Sequence, residues 1–189
     1  MQLAIYNFGI HVGPYESPAV EGFRMRETFN FEAAARAEGF VARSGYSSEE
    51  GIESWGPRVF PRFLNGSGFT SAPSSLSVWR DIESLMAFSY SGVHAEALKH
   101  ARHWNVKQTW PPLVLWWLEL RCRPEWKDAV ERFEHLFDYG PSPRAFTFKT
   151  PFDCQGHPTV IDRVKVKELA ALNAKGQIDL AAAVAQLKV

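Results

Sequence analysis

Between Ser75 and Trp79 polar and apolar positions alternate with a period of two, Ser-Leu-Ser-Val-Trp, the mark of a half-buried strand. The period then changes. Ile82, Leu85, Met86 and Ser89 recur at helical spacing, so one face of residues 81–90 can lie on a sheet. Asp81 stands where an N-cap is wanted and Glu83 falls in the first turn, where the helix dipole favours an acid. Ser91-Gly92 interrupts the run, and a second helical segment follows from His94 to Trp104. Three of the six histidines fall in those eleven residues, which makes this bend the first place to look for chemistry.

The same reading orders the rest of the chain. Residues 2–10 are apolar on both faces with Asn7 the polar exception, as in a strand covered on both sides. Pro18 after Ser17 opens a helix that runs to about Glu38, with Phe23, Phe29, Ala33, Ala34 and Ala37 as its buried candidates and Gly39 as its stop. Residues 40–46 form a second strand with Arg43 inside it. That arginine reaches a ligand anion, pairs with an acid, or snorkels from an edge. Residues 47–73 carry Gly51, Gly56, Pro57, Pro61, Gly66, Gly68 and Pro73, too many breakers for a long regular element. They also hold Trp55, Phe60, Phe63, Leu64 and Phe69, so the stretch reads as a flap or pocket wall rather than a solvated linker. Leu113 to Leu118 is a strand apolar on both faces, and 124–138 a helix with Trp126, Val130, Phe133 and Leu136 on one side. Residues 144–148 are a short extended piece, and 164–173 and 179–187 are two Ala-rich helical stretches.

Strand, helix, strand, long loop, strand, helix, strand is the order of a split βαβ, or ferredoxin-like βαββαβ, unit of the α+β class. It predicts an antiparallel sheet with helices on one face and an apolar second face that needs a cover. A second copy of the chain supplies one, so a homodimer is expected. The expected domains are residues 1–152, with the long loop at 47–73, and a helical C-terminal extension at 153–189 that packs across the dimer or over the cavity mouth.

Composition removes several function classes. Lys plus Arg equals Asp plus Glu at 21 each, so there is no basic excess for a nucleic acid or other polyanion. Gly66-Ser67-Gly68 lacks the helix and the Lys and Ser/Thr that a phosphate-binding loop requires. Cys122 and Cys154 lie far apart and form no metal-type or redox-type pair, which suits a reducing compartment. No signal peptide is expected at the N-terminus, and the longest apolar run, 113–118, is far too short to span a bilayer. A cytoplasmic protein with no membrane partner is expected. Fourteen Phe, seven Trp and five Tyr fit either a pocket for a flat ligand or a densely filled core.

Leu76-Ser77-Val78-Trp79 running through His94-Ala95-Glu96, then Leu115-Trp116-Trp117, then Gly140-Pro141-Ser142-Pro143-Arg144-Ala145-Phe146-Thr147-Phe148, together resemble the domain-of-unknown-function family 3291. Gln2-Leu3-Ala4-Ile5-Tyr6-Asn7 matches as well. The resemblance covers about residues 1–152. It implies the dimeric α/β-barrel superfamily, whose members include antibiotic-biosynthesis monooxygenases and stress-response barrel domains. A fainter likeness, in Ser77-Val78-Trp79 followed by a helix and His94, runs to haem-containing spheroidene monooxygenases. The chain departs from the family in its longer loop before Ser74 and in Ser75, where the family often has Asn.

His94 is the leading catalytic candidate. At a helix start the ring is favoured neutral, able to serve as a general base or to ligate haem iron; the alternative is a capping histidine that hydrogen-bonds the bend. His100 and His103 could share a metal only with a further ligand such as Glu96, and a solvated face suits them better. Asn7, Arg43, Ser75, Ser77 and Trp79 on strands, with Tyr90, Trp104 and Trp116, are the expected substrate-binding residues, Arg43 and Asn7 placing an oxyanion. The expected function is monooxygenase-like action on a small hydrophobic or aromatic molecule, either without a cofactor or with haem. The alternative is a non-catalytic small-molecule-binding or interaction protein.

Overall fold

Of the residues that the computed structural model describes, 1–46 and 49–187, those with apolar character on both sides form the middle of a sheet. The elements in order are β1 (Gln2–Phe8), α1 (Glu21–Ala35), β2 (Phe40–Arg43), β3 (Ser74–Trp79), α2 (Ile82–Ser89), α3 (Gly92–Trp104), β4 (Leu113–Leu118), α4 (Trp126–Tyr139), α5 (Arg163–Gly176) and α6 (Ile178–Val184). This is a mixed chain with a four-stranded antiparallel sheet and six helices, in keeping with the α+β class. The chain divides into two compact units. A sheet unit comprises Met1–Ile10, Val41–Arg80 and Gln108–Ile161, and a helical unit His11–Phe40, Asp81–Lys107 and Asp162–Val189.

In the sheet unit the strand order is β2-β3-β1-β4. β1 pairs antiparallel with β3, Ile5 opposite Ser77, and with β4, Ile5 opposite Leu115. One face carries Ala4, Tyr6, Phe8, Leu76, Val78, Val114 and Trp116, all buried in one core with Trp126, Ala129, Phe133 and Leu136 of α4. The rings interlock edge to face. Tyr6 meets Phe133 at 5.4 Å and Trp126 at 6.2 Å, both at 86°, the arrangement the ring quadrupoles prefer. Much of the aromatic content therefore fills this core rather than lining a slot for a flat ligand.

The long loop is part of this unit. Its described residues are irregular apart from a 3-10 turn at Arg62–Leu64, yet Trp55 and Leu64 enter the core. Arg58 clamps its end: Nη2 donates to the Ala72 carbonyl at 2.8 Å and to Ser74 Oγ at 2.9 Å, with the guanidinium 4.3 Å from the Tyr46 ring centre. Arg62 ties the loop to α4 through Asp138 and, from its backbone N–H, Glu134 at 2.6 Å. The loop is thus a fastened wall.

The opposite face of the sheet is not bare. Leu3 and Leu115 are fully buried, Trp79 is 1% and Ile5 6% exposed in the single chain. The expectation of a second copy rested on an uncovered apolar face, and that reason falls away.

In the helical unit, Asp81 caps α2 as expected, accepting from the Ser84 N–H at 2.8 Å. α1 differs from its reading: Pro18–Val20 is a 3-10 turn, and the positions most buried in its first half are Gly22 and Arg26. Arg26 is 1% exposed. Its Nε and Nη2 donate to the Glu96 carboxylate at 2.9 and 3.0 Å, its Nη1 to the Gly22 carbonyl at 3.1 Å, and its guanidinium stacks 5.3 Å from the Trp104 ring centre. A charge is tolerated so deep only when paired and bonded in this way. The C-terminal helices pack within the same unit. Leu180 and Val184 of α6 share a buried cluster with Ala33 and Val93, Lys165 of α5 reaches Asp81 at 2.9 Å, and the Gln177 side chain donates to the Ala33 carbonyl at 3.0 Å.

Two substitutions test these packing assignments. Glu96→Ala leaves the Arg26 charge buried without its carboxylate and is expected to cost about 2–4 kcal/mol in urea unfolding. The Tyr6 hydroxyl is buried, which raises its pKa, with at most a weak hydrogen bond to the Ser74 side chain; Tyr6→Phe is therefore expected to change stability by less than about 1 kcal/mol. A comparable loss in Tyr6→Phe would show that the hydroxyl has a strong partner.

Candidate functional site

The bend between α2 and α3 is made by local chemistry that the sequence carries. Tyr90 ends α2, Ser91 precedes α3, and Gly92 takes φ +56°, a left-handed backbone that other residues adopt only under strain. The last carbonyls of α2 lack helical partners and find them in side chains. Ser91 Oγ donates to the Ala87 carbonyl, and His94 Nδ1 lies 2.9 Å from the Ser89 carbonyl. A carbonyl can only accept, so Nδ1 carries the proton and the neutral ring leaves Nε2 as a bare lone pair. The ring packs on Phe88, centroids 4.8 Å apart. Burial holds its pKa below the ordinary 6.5, outweighing the opposing pull of the Ser89 bond. His94 thus closes the bend, as its capping reading expects, and its Nε2 has no hydrogen-bond partner among the described residues.

The two other expected site residues of the helical unit, Tyr90 and Trp104, do not gather around it. Tyr90 is in the same unit but 57% exposed. Trp104 ends the same helix ten residues on, about 15 Å along the axis, and is buried between Arg26 and Phe23. Glu96, the further ligand that a His100–His103 metal site would need, is engaged by Arg26 and lies 3.3 Å from His100 Nε2. Among the described residues no group of three or more His, Cys, Asp or Glu side chains could hold a metal ion.

Asn7, Arg43, Ser75, Ser77, Trp79 and Trp116 belong to the sheet unit. Asn7, Ser75, Ser77 and Trp79 do share one face, as the register requires, but they bond one another. Asn7 Oδ1 accepts from the Ser75 N–H at 2.9 Å, and the Trp79 indole donates to Ser77 Oγ at 3.0 Å. Arg43 forms a bidentate pair with Glu49, one contact being 2.8 Å, which answers its reading as a paired interior arginine. Trp116 lies on the opposite face, fully buried.

The chain matches the family described as domain of unknown function (DUF3291) over residues 2–162. It belongs to that family. The match covers the sheet with its long loop, the α2–α3 bend and His94, and stops at the N-cap of α5. No curated protein and no solved structure matches the chain. No helix among the described residues is long and apolar enough to cross a membrane.

Two features of the helical unit escaped the sequence reading. His11, placed in a loop, is 7% exposed; its Nδ1 lies 3.1 Å from Asn105 Oδ1, its Nε2 is buried without a partner, and burial lowers its pKa below 6.5. Nothing in a lone His before Val-Gly-Pro signals this. The second feature is a cavity of about 220 Å³ between the start of α1 and the end of α3, lined by Gly22, Met25, His103 and Trp104 among others. A haem would need a slot beside His94 as well as the open nitrogen. This cavity sits at the other end of α3 and is smaller than the roughly 300–1,000 Å³ of pockets for drug-sized ligands. It is not a haem slot for His94.

Both His11 and His94 titrate below their unfolded value of 6.5, so below that pH the unfolded chain binds more protons than the folded one. Their contribution to stability is full above about pH 6.5 and is lost as pH falls toward the depressed folded values. The urea midpoint is expected to drop on acidification, and to drop less in His94→Gln and in His11→Gln. Equal pH dependence in the wild type and both variants would contradict the burial of the two rings.

Proposed function

We propose that this protein acts on a small hydrophobic or aromatic molecule at the α2–α3 bend, in monooxygenase-like chemistry that needs no cofactor and in which His94 is the base. One observation carries the reading: the Nδ1–H to Ser89 bond fixes the tautomer and leaves Nε2 open on a ring kept neutral by burial. Such a nitrogen can take a proton from an acidic C–H or phenol near pH 7. The resulting carbanion can then reduce dioxygen directly, one oxygen atom ending as a substrate carbonyl and the other in water. The strand order β2-β3-β1-β4 supports a ferredoxin-like βαββαβ reading, and with it the analogy to barrel-forming monooxygenases. Fold analogy does not fix an activity, so the weight rests on His94. The homodimer of that superfamily would here use a surface other than a bare sheet face, and sedimentation of the full chain as a lone protomer would remove it from the proposal.

A second reading is binding without reaction. It is favoured by the structural task His94 already performs at the bend and by the engagement of Arg43 and Asn7 elsewhere.

Oxygen uptake with a panel of acidic phenols and 1,3-diketones separates the two. Turnover by the wild type that falls about 10²–10⁴-fold in His94→Ala, and persists below pH 6.5 as the depressed pKa requires, supports the base. Saturable binding with no oxygen uptake would leave the second reading. A Soret band lost in His94→Ala would overturn the cofactor-free form.

A further inference from the structure

Trp104 is a buried tryptophan at the edge of a cavity. It is 3% exposed, a setting in which an indole N–H normally has a partner. The Trp79 and Trp117 indoles do, donating to Ser77 Oγ and to the Phe152 carbonyl at 2.8 Å. The Trp110, Trp116 and Trp126 nitrogens have none and are sealed in the sheet unit. Trp104 Nε1 also has no hydrogen-bond partner among the described residues, but its ring borders the 220 Å³ cavity.

The helix opposite is shaped to allow this. A Cβ built on Gly22 would fall 2.6 Å from Trp104 Nε1, so a larger residue at 22 would displace the indole. Glycine lets α1 come close to the indole where both residues line the cavity. The indole is held from behind. Arg26 stacks on it, and the Trp104 backbone carbonyl accepts from the Val12 N–H at 2.9 Å. The donor is therefore fixed in place before any ligand arrives, which lowers the entropic cost of binding.

We propose that this cavity binds a small uncharged molecule whose carbonyl oxygen accepts a hydrogen bond from Trp104 Nε1. Pro18, Ala19 and Met25 supply apolar wall, and the volume suits a fragment-sized body. Glu21, also lining the cavity, is exposed and carries no ion pair among the described residues, so its carboxylate repels an anion that would otherwise seek the same N–H. The site does not rest on the role of His94, which lies about 15 Å away along α3.

The test is an ¹⁵N indole titration of the full chain with ε-caprolactam, and with hexanoate as an anion of similar size. The Trp104 cross-peak is assigned by its loss in Trp104→Phe. A saturable shift of that peak with the lactam is expected, with hexanoate binding at least about tenfold more weakly and recovering in Glu21→Gln. Met25→Trp, at a position 38% exposed, fills the cavity from its open side and is expected to abolish the shift without lowering the melting temperature. A Trp104 peak that does not move in the wild type, or that moves equally in Met25→Trp, overturns the proposal. Equal affinity for lactam and hexanoate overturns the assignment to uncharged ligands.

Discussion

Strand β1 has a neighbour on each edge and buried side chains on each face. A strand so placed can carry almost nothing polar, and Gln2–Phe8 carries Gln2, the buried Tyr6 hydroxyl and Asn7. Gln2 and Asn7 are absorbed by hydrogen bonds, Gln2 to the Cys122 carbonyl at 2.7 Å and Asn7 to Ser75. From β1 outward the sheet unit follows. Its alternating positions send Ala4, Tyr6 and Phe8 to one face, and edge-to-face contacts with Tyr6 and Phe8 fix where Phe133, and so α4, must sit. Rings of this size pack at only a few angles, and Trp55 and Leu64 of the long loop are held against them.

The helical unit is organised around a charge instead. Arg26 occupies a position on α1 that an apolar side chain would fill in a simpler bundle, and Glu96 and Trp104 of α3 answer it from two directions. The three are interdependent: the ion pair needs the burial, and the indole needs Gly22 to make room. One consequence is an unused N–H at the cavity. Another is that Glu96, which by residue type could ligate a metal with the neighbouring histidines, is already neutralised.

Within each unit the candidate chemistry is engaged locally. The polar strand residues satisfy each other within the sheet unit, His94 stands at the bend with one nitrogen anchored and one open, and the cavity lies at the far end of the same helix. Polar groups that look available in a sequence are often those that a fold must pair to become stable, since an unpaired buried group costs about as much as a lost hydrogen bond or more. Asn7, Arg43, Ser75 and Ser77 are of that kind here.

Local order was legible where a single period governs. The strands at 74–79 and 113–118, the Asp81 cap and the break at Ser91-Gly92 follow from side-chain spacing and glycine conformation, which depend on near neighbours in the chain. The closing of the bend by a histidine was legible too, because His94 lies only five residues from Ser89. The burial of Arg26, the pairing of Glu96, the depth of His11 and the cavity beside Trp104 were not. Each joins residues dozens of positions apart, and the same residue types would be solvated had the helices met at another angle. Spacing along the chain determined which elements form and what could bond within a turn or two. Only the tertiary structure decided which polar groups are already satisfied and which, such as His11 Nε2 and the Trp104 indole, are left without a partner among the described residues.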